Sequence, residues 1–260
     1  MKTGISAASL YPLETEKALL YFSELGYKNF EIFLNAFSEI SSEYGKELNL
    51  LQKNNDFQIL SVHPFTSALE SMLLFERYDR RTEEGFALYR KYMEAACRIG
   101  AKILVLHGQR LGSGSLSDAE YYERYHKLYQ IGQTLGITVA QENVRQFRSS
   151  SYSFISGMLE YLHNECAFVL DIKQAHMTGI DPLVMLEAMG NRVCHVHLSD
   201  HNAEKTCMLP GNGTYDFIAL RKALEDIDYS GAIITEVYRN AITDNDSLIR
   251  SREHVEAIFD

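Results

Sequence analysis

Eight short apolar runs punctuate the chain: TGIS (3–6), NFEIFL (29–34), FQILSVH (57–63), KILVLHG (102–108), ITVAQE (137–142), AFVLDI (167–172), VCHVHLS (193–199) and AIITEVY (232–238). They are nearly continuous in Ile, Val, Leu and Phe rather than alternating, the pattern of strands covered on both faces of a parallel sheet. Between them lie segments such as ETEKALLYFSELG, RRTEEGFALYRKYMEAACRIG, DAEYYERYHKLYQIGQTLG and DFIALRKALEDID. Their apolar residues recur at three- and four-residue intervals, which predicts helices. Gly26, Gly100 and Gly136 stand where a helix must stop before the next strand. Eight alternating βα units predict an α/β protein folded as one (β/α)8 barrel over residues 1–260. An open doubly wound sheet would instead carry a Gly-rich GxGxxG turn after its first strand, and none is present.

Composition narrows the function classes. The chain is 46% hydrophobic and 23% charged, ordinary for a globular protein with a sizeable core. A formal net charge of −10 repels phosphodiester backbones, so nucleic acid is a poor partner. Cys97, Cys166, Cys194 and Cys207 are scattered, with no CxxC pair, and read as reduced, buried thiols. The opening MKTGISAASLYPLE has no signal-peptide core, and no run nears the roughly 18 apolar residues of a membrane span. These features predict a soluble cytoplasmic protein with no membrane partner.

The chemistry lies at the strand ends. Active sites of (β/α)8 barrels form at the C-terminal ends of the strands. Glu31 lies on the second run, and the third to eighth close on His63, His107, Glu142, Asp171, His197 and Glu236. Any one of these alone reads as a capping or loop-anchoring residue. Four carboxylates and three imidazoles converging on one barrel mouth would repel and desolvate one another without a cation. Glu142, Asp171, His197 and Glu236 mix oxygen and nitrogen donors without thiolate. That set suits one divalent ion, manganese first, with magnesium, cobalt and zinc also compatible.

With those residues in place the sequence resembles the xylose isomerase-like barrel superfamily of sugar isomerases and epimerases, which also includes the endonuclease IV-type enzymes. QEN (141–143), LDIKQA (170–175), HVHLSD (195–200), PGNGTYDF (210–217) and TEVY (235–238) carry the resemblance, by their order and spacing more than singly. It covers nearly the whole chain. It implies a metal held by Glu142, Asp171, His197 and Glu236, as in ketose 3-epimerases, with Glu142 and Glu236 also moving a proton through an enediolate. The substrate would be a small-molecule sugar or sugar derivative, and a homodimer is the assembly common among the relatives.

This chain departs from the epimerase pattern at Gln174, Arg148 and Ala203, where those enzymes carry His, Glu and Arg. The metal tetrad therefore carries over while the substrate-gripping set does not. Endonuclease-type relatives add zinc-binding histidines matching His63 and His107, but their Asp-x-His pair after the seventh strand is missing here. Metal-assisted phosphodiester hydrolysis is thus disfavoured. An inosose-type dehydratase acting at the same site is a second reading, and a non-catalytic sugar-binding barrel is a third.

His63 and His107 are read as substrate-binding groups, or as groups orienting the metal ligands. Glu31 either orients such a His or is a satisfied buried acid. His195 shares the face of His197 one layer deeper, and His176 reads as a loop residue. Arg110, Arg145 and Arg239 follow His107, Glu142 and Glu236 by three positions, and Lys173 follows Asp171 by two. Together they form either a cationic rim for the phosphate or carboxylate of an anionic sugar, or ordinary solvated charge. In PGNGTYDF, Gly211 and Gly213 permit positive φ and Asp216 is a candidate N-cap; the loop shapes a helix start rather than holding phosphate.

Overall fold

A computed structural model describes residues 1–114 and 116–260. Eight strands, β1 (Lys2–Ser6), β2 (Asn29–Leu34), β3 (Gln58–Pro64), β4 (Ile103–Leu106), β5 (Thr138–Glu142), β6 (Phe168–Asp171), β7 (Val193–Leu198) and β8 (Ala232–Thr235), close in chain order into a barrel. Every pairing is parallel, including β1 with β8. The eight apolar runs all appear as strands. The eighth is shorter than its run: it ends at Thr235, and Glu236 lies just past it, its N–H still donating to Leu198 O at 2.9 Å.

The helices follow from local chemistry. Ser117 and Glu120 form a reciprocal capping box that starts Asp118–Thr134. Asp216 accepts from Ala219 N and starts Phe217–Asp226. Their apolar faces seal the outer side of the barrel. Phe22, Tyr89, Tyr92, Tyr121 and Tyr125 are fully buried there. Buried tyrosine needs a partner for its hydroxyl: Tyr125 donates to Val139 O at 2.7 Å and accepts from Ala167 N at 3.0 Å, tying the helix to two strands.

The cysteine expectation needs one correction. All four are free thiols, but Cys97 is exposed and only Cys166 is fully buried, because Cys97 lies on the solvent side of helix Asp79–Arg98. Among the described residues, no helix is long and apolar enough to cross a membrane.

Candidate metal and active site

Side chains two apart on a strand share a face. Ala140, Val169 and His195 therefore lie below Glu142, Asp171 and His197 on three successive strands, and Glu236 follows directly after β8. Donor atoms of Glu142, Asp171, His197 and Glu236 all lie within 4.8 Å of one another. Asp171, Glu142 and His197 are buried, and Glu236 is the most open to the mouth.

Two amides frame Glu142. Gln141 Nε2 reaches Leu106 O, His107 O and Glu142 O at 2.9–3.1 Å, and its Oε1 accepts from the Tyr121 hydroxyl. Asn143 Nδ2 donates to Asp171 O at 3.0 Å while its Oδ1 accepts from Asp171 N at 2.7 Å. Gln141 and Asn143 are thus splices to β4 and β6, and Glu142 between them faces the mouth.

His197 is fixed at both ring nitrogens. Nε2 lies 3.0 Å from Glu31 Oε2, and Nδ1 lies 3.1 Å from Glu142 Oε1, 3.7 Å from Glu236 Oε2 and 3.8 Å from Asp171 Oδ2. Glu31 Oε2 also meets His195 Nε2 at 3.1 Å and the Ser61 hydroxyl at 2.9 Å. Glu31 therefore orients His197, with His195 in the layer beneath. A His whose far nitrogen is held by a carboxylate is the usual state of a metal-binding imidazole.

The electrostatics show the strain of so many acids. Burial disfavours the charged form of Glu142, yet the imidazoles of His107, His197 and His63 hold its carboxyl well below the ordinary range. Burial likewise opposes ionisation of Glu31 and Glu236. His197 and His195 outweigh it at Glu31, and Lys173 and His197 at Glu236, so both sit low. Asp171 goes the other way: burial, with the charges of Glu142 and Glu236, pushes it up to about 7 against the pull of Lys173. His197 is held well above its usual value, burial being outweighed by Glu31, Glu236 and Glu142. Asp171 Oδ2 is buried and makes no hydrogen bond, with Lys173 Nζ 3.5 Å away, and buried Glu142 Oε2 is met by His107 Nε2 at 3.0 Å. Carboxylate oxygens so sparsely partnered beside an oriented imidazole fit a divalent cation of the kind expected from the donor set.

His63 and His107 also converge here. His107 Nε2 is 3.0 Å, and His63 Nε2 3.7 Å, from Glu142 Oε2. Phe33 stacks on the His63 ring at 3.9 Å between centroids. Arg110, Arg145 and Arg239 are exposed on the segments after β4, β5 and β8. Lys173 is not on an open rim. It is buried, with Nζ 2.9 Å from Glu236 Oε2 and 3.5 Å from Asp171 Oδ2.

Two of the three positions that depart from the epimerase pattern, Gln174 and Arg148, have structural work. Gln174 Oε1 accepts from Arg145 N, and Arg148 spans Gln109, Leu116 O and Asp118. The PGNGTYDF loop wraps a carboxylate: Asp200 Oδ2 accepts from Gly211 N and Gly213 N, and Oδ1 from His201 N and Tyr215 N. Gly211 has φ +89°, whereas Gly213 is required for close approach instead, since a Cβ there would lie 2.3 Å from Asp200 Oδ1. Glu70, which no strand-end pattern marks, is buried and accepts from Tyr89 OH and from Gly108 N, next to His107. Its only signal in the sequence is a lone acid inside the apolar stretch SALESMLL.

Residues 19–258 match the family model described as xylose isomerase-like TIM barrel. The chain belongs to that family. This xylose isomerase-like barrel is 22% identical to an inosose dehydratase of Clostridium beijerinckii, over 76% of each chain. In fold it is similar to the D-psicose 3-epimerase of Clostridium cellulolyticum H10 solved with D-tagatose, with a TM-score of 0.79, 15% identity and 99% and 98% of the two chains covered. It is likewise similar to the IolI protein solved with a zinc atom, with a TM-score of 0.76, 16% identity and 99% and 97% covered.

Proposed function

We propose that the protein is a divalent-metal-dependent isomerase or epimerase that moves a proton at a carbon next to the carbonyl of a sugar or sugar derivative. One observation carries this reading: two carboxylates, Glu142 at the end of β5 and Glu236 past β8, meet Asp171 and His197 in one buried donor set. These four residues would hold the ion, with manganese the first choice among magnesium, cobalt and zinc. When bound, it would polarise a carbonyl and the neighbouring hydroxyl, making the carbon-bound proton between them more acidic.

The chain's own residues supply the rest. Asp171 and His197 come from the two strands between β5 and β8, so Glu142 and Glu236 flank them along the arc. One carboxylate takes the proton and the other returns it, through an enediolate. His63 and His107, both beside Glu142, would hydrogen-bond substrate hydroxyls. The exposed Arg110, Arg145 and Arg239 would give the mouth a cationic rim on an acidic chain, which would favour a sugar phosphate or sugar acid. The similar epimerases and inosose dehydratases support the substrate class. A dehydratase would begin with the same proton removal and then expel hydroxide.

The test is exchange in D2O. The manganese-loaded protein is incubated with ketoses, keto-inositols and their phosphates. Solvent deuterium at a carbon next to the carbonyl is the expected result, and the product separates isomer from dehydrated ketone. Nicking of abasic duplex DNA with no exchange would overturn the proposal in favour of phosphodiester hydrolysis. Sugar binding with neither reaction would leave a binding module.

A further inference from the structure

Lys173 is a buried cation set among the acids of the site. It lies in the first turn of helix Ile172–Met177, at the end whose backbone dipole repels positive charge, and it is 3% exposed. Burying an ammonium costs several kcal/mol unless opposite charges compensate it. Two do: Glu236 Oε2 at 2.9 Å and Asp171 Oδ2 at 3.5 Å. The face of the Tyr238 ring covers the same ammonium at 5.0 Å. These two carboxylate oxygens are also the ones that turn toward His197 Nδ1, at 3.7 Å and 3.8 Å. A divalent ion held by the tetrad and the Lys173 ammonium therefore draw on the same pair of oxygens.

We propose that Lys173 is a positioning residue that acts as a built-in counter-cation, holding Glu236 and Asp171 in place while weakening the divalent ion's hold on them. This rests on the metal site proposed above and adds a property to it: the ion is bound loosely enough to exchange. A structural ion pair alone would not require the lysine to share both oxygens with the donor set. The arrangement keeps the acids together when the ion is away, and it opposes the ion through like charge at close range.

The test measures Mn2+ affinity of the chelator-stripped protein by competition with a fluorescent chelator, with no activity assay. Lys173→Met is expected to bind Mn2+ about 10- to 100-fold more tightly than wild type, the usual range of coupling between two sites. Lys173→Arg, which keeps the charge, should stay close to wild type. Unchanged or weaker binding in a folded Lys173→Met protein overturns the proposal. Lys173→Gln provides a second neutral variant. Should neither neutral variant fold in chelator, recovery of a wild-type Tm in saturating Mn2+ supports the counter-cation role, and failure to recover overturns it. Wild type that binds no Mn2+ sinks the metal site and this inference together. Wild type that binds, with neutral variants no tighter, sinks the inference alone.

Discussion

Glu31 reaches across the barrel to His197, its Oε2 3.0 Å from the imidazole Nε2, and so turns Nδ1 toward Glu142. A carboxylate behind a metal-binding His typically contributes about 10- to 100-fold to metal affinity. Glu31→Ala should lose about that much in an Mn2+ titration, because His197, His195 and Ser61 all lose their shared acceptor. Glu31→Gln, which keeps an acceptor oxygen without the charge, should fall between. Full affinity in both variants would show that His197 needs no orienting partner.

Replacing either glutamate proposed as a base should stop the chemistry more than the binding. Glu142→Gln and Glu236→Gln are each expected to slow deuterium incorporation by about 10²- to 10⁴-fold, the range for a positioned general base. The measurement is carried out at saturating Mn2+, so that loss of exchange is separated from loss of the ion. If one variant exchanges at the wild-type rate, its glutamate is a ligand only.

The exposed arginines should distinguish substrates by charge. Among the described residues neither Arg145 nor Arg239 is engaged in an ion pair, which leaves both available to a phosphate or carboxylate. Arg145→Met and Arg239→Met should raise KM for an anionic sugar more than for its neutral analogue. Equal effects on both sugars would return these arginines to the solvated surface.

Glu70 makes stability depend on pH. Burial pushes its carboxyl up to about 7, against the pull of His107 and of the Tyr89 and Gly108 hydrogen bonds. A raised acid pKa means the folded state binds the proton more tightly than the unfolded one. Stability is therefore full below the ordinary carboxylate range and declines as pH rises from there through about 7. Glu70→Gln mimics the protonated form. In chelator it should match wild type at acid pH and exceed it above neutrality. The gain should reach roughly 3 kcal/mol, because a tenfold change in proton affinity is worth about 1.4 kcal/mol. Urea denaturation across that pH range gives the difference; parallel curves would mean Glu70 is already paired as an anion.

Gly213→Ala tests the Asp200 cradle. The added Cβ would meet Asp200 Oδ1 at 2.3 Å and His201 O at 2.4 Å, both held by the loop itself. A loss of about 1–3 kcal/mol is expected from overpacking and the broken cradle, read by denaturant midpoint. Wild-type stability would mean the loop can open without cost.

The barrel was legible because burial on both faces of a strand leaves an unbroken apolar run, and eight such runs are hard to arrange otherwise. The convergence of Glu142, Asp171, His197 and Glu236 was legible because polar residues closing apolar runs have few structural reasons to recur in register. Lys173 was harder. Two positions past a strand end looks like an open loop, and only the short helix Ile172–Met177 turns the side chain back toward Glu236. Glu31 and His197 are 166 residues apart, and their pairing depends on barrel closure, which no local pattern records. Glu70 stood out only as a lone acid in an apolar stretch, and its role was hidden for a similar reason: its partners Tyr89 and Gly108 come from a helix and from the segment after β4.

The amide splices on either side of Glu142 give the donor set an uneven stiffness. Asn143 grips the Asp171 peptide at both its N–H and its carbonyl, so the span from Glu142 to Asp171 is set by main-chain geometry. Glu236 stands beyond the last ladder residue of β8, tethered by one backbone bond and a lysine. One side of the site is fixed by main-chain bonds and the other by a side-chain ion pair. If the four residues hold an ion as proposed, a change of ionic radius would be taken up at Glu236 before it altered the span between Glu142 and Asp171.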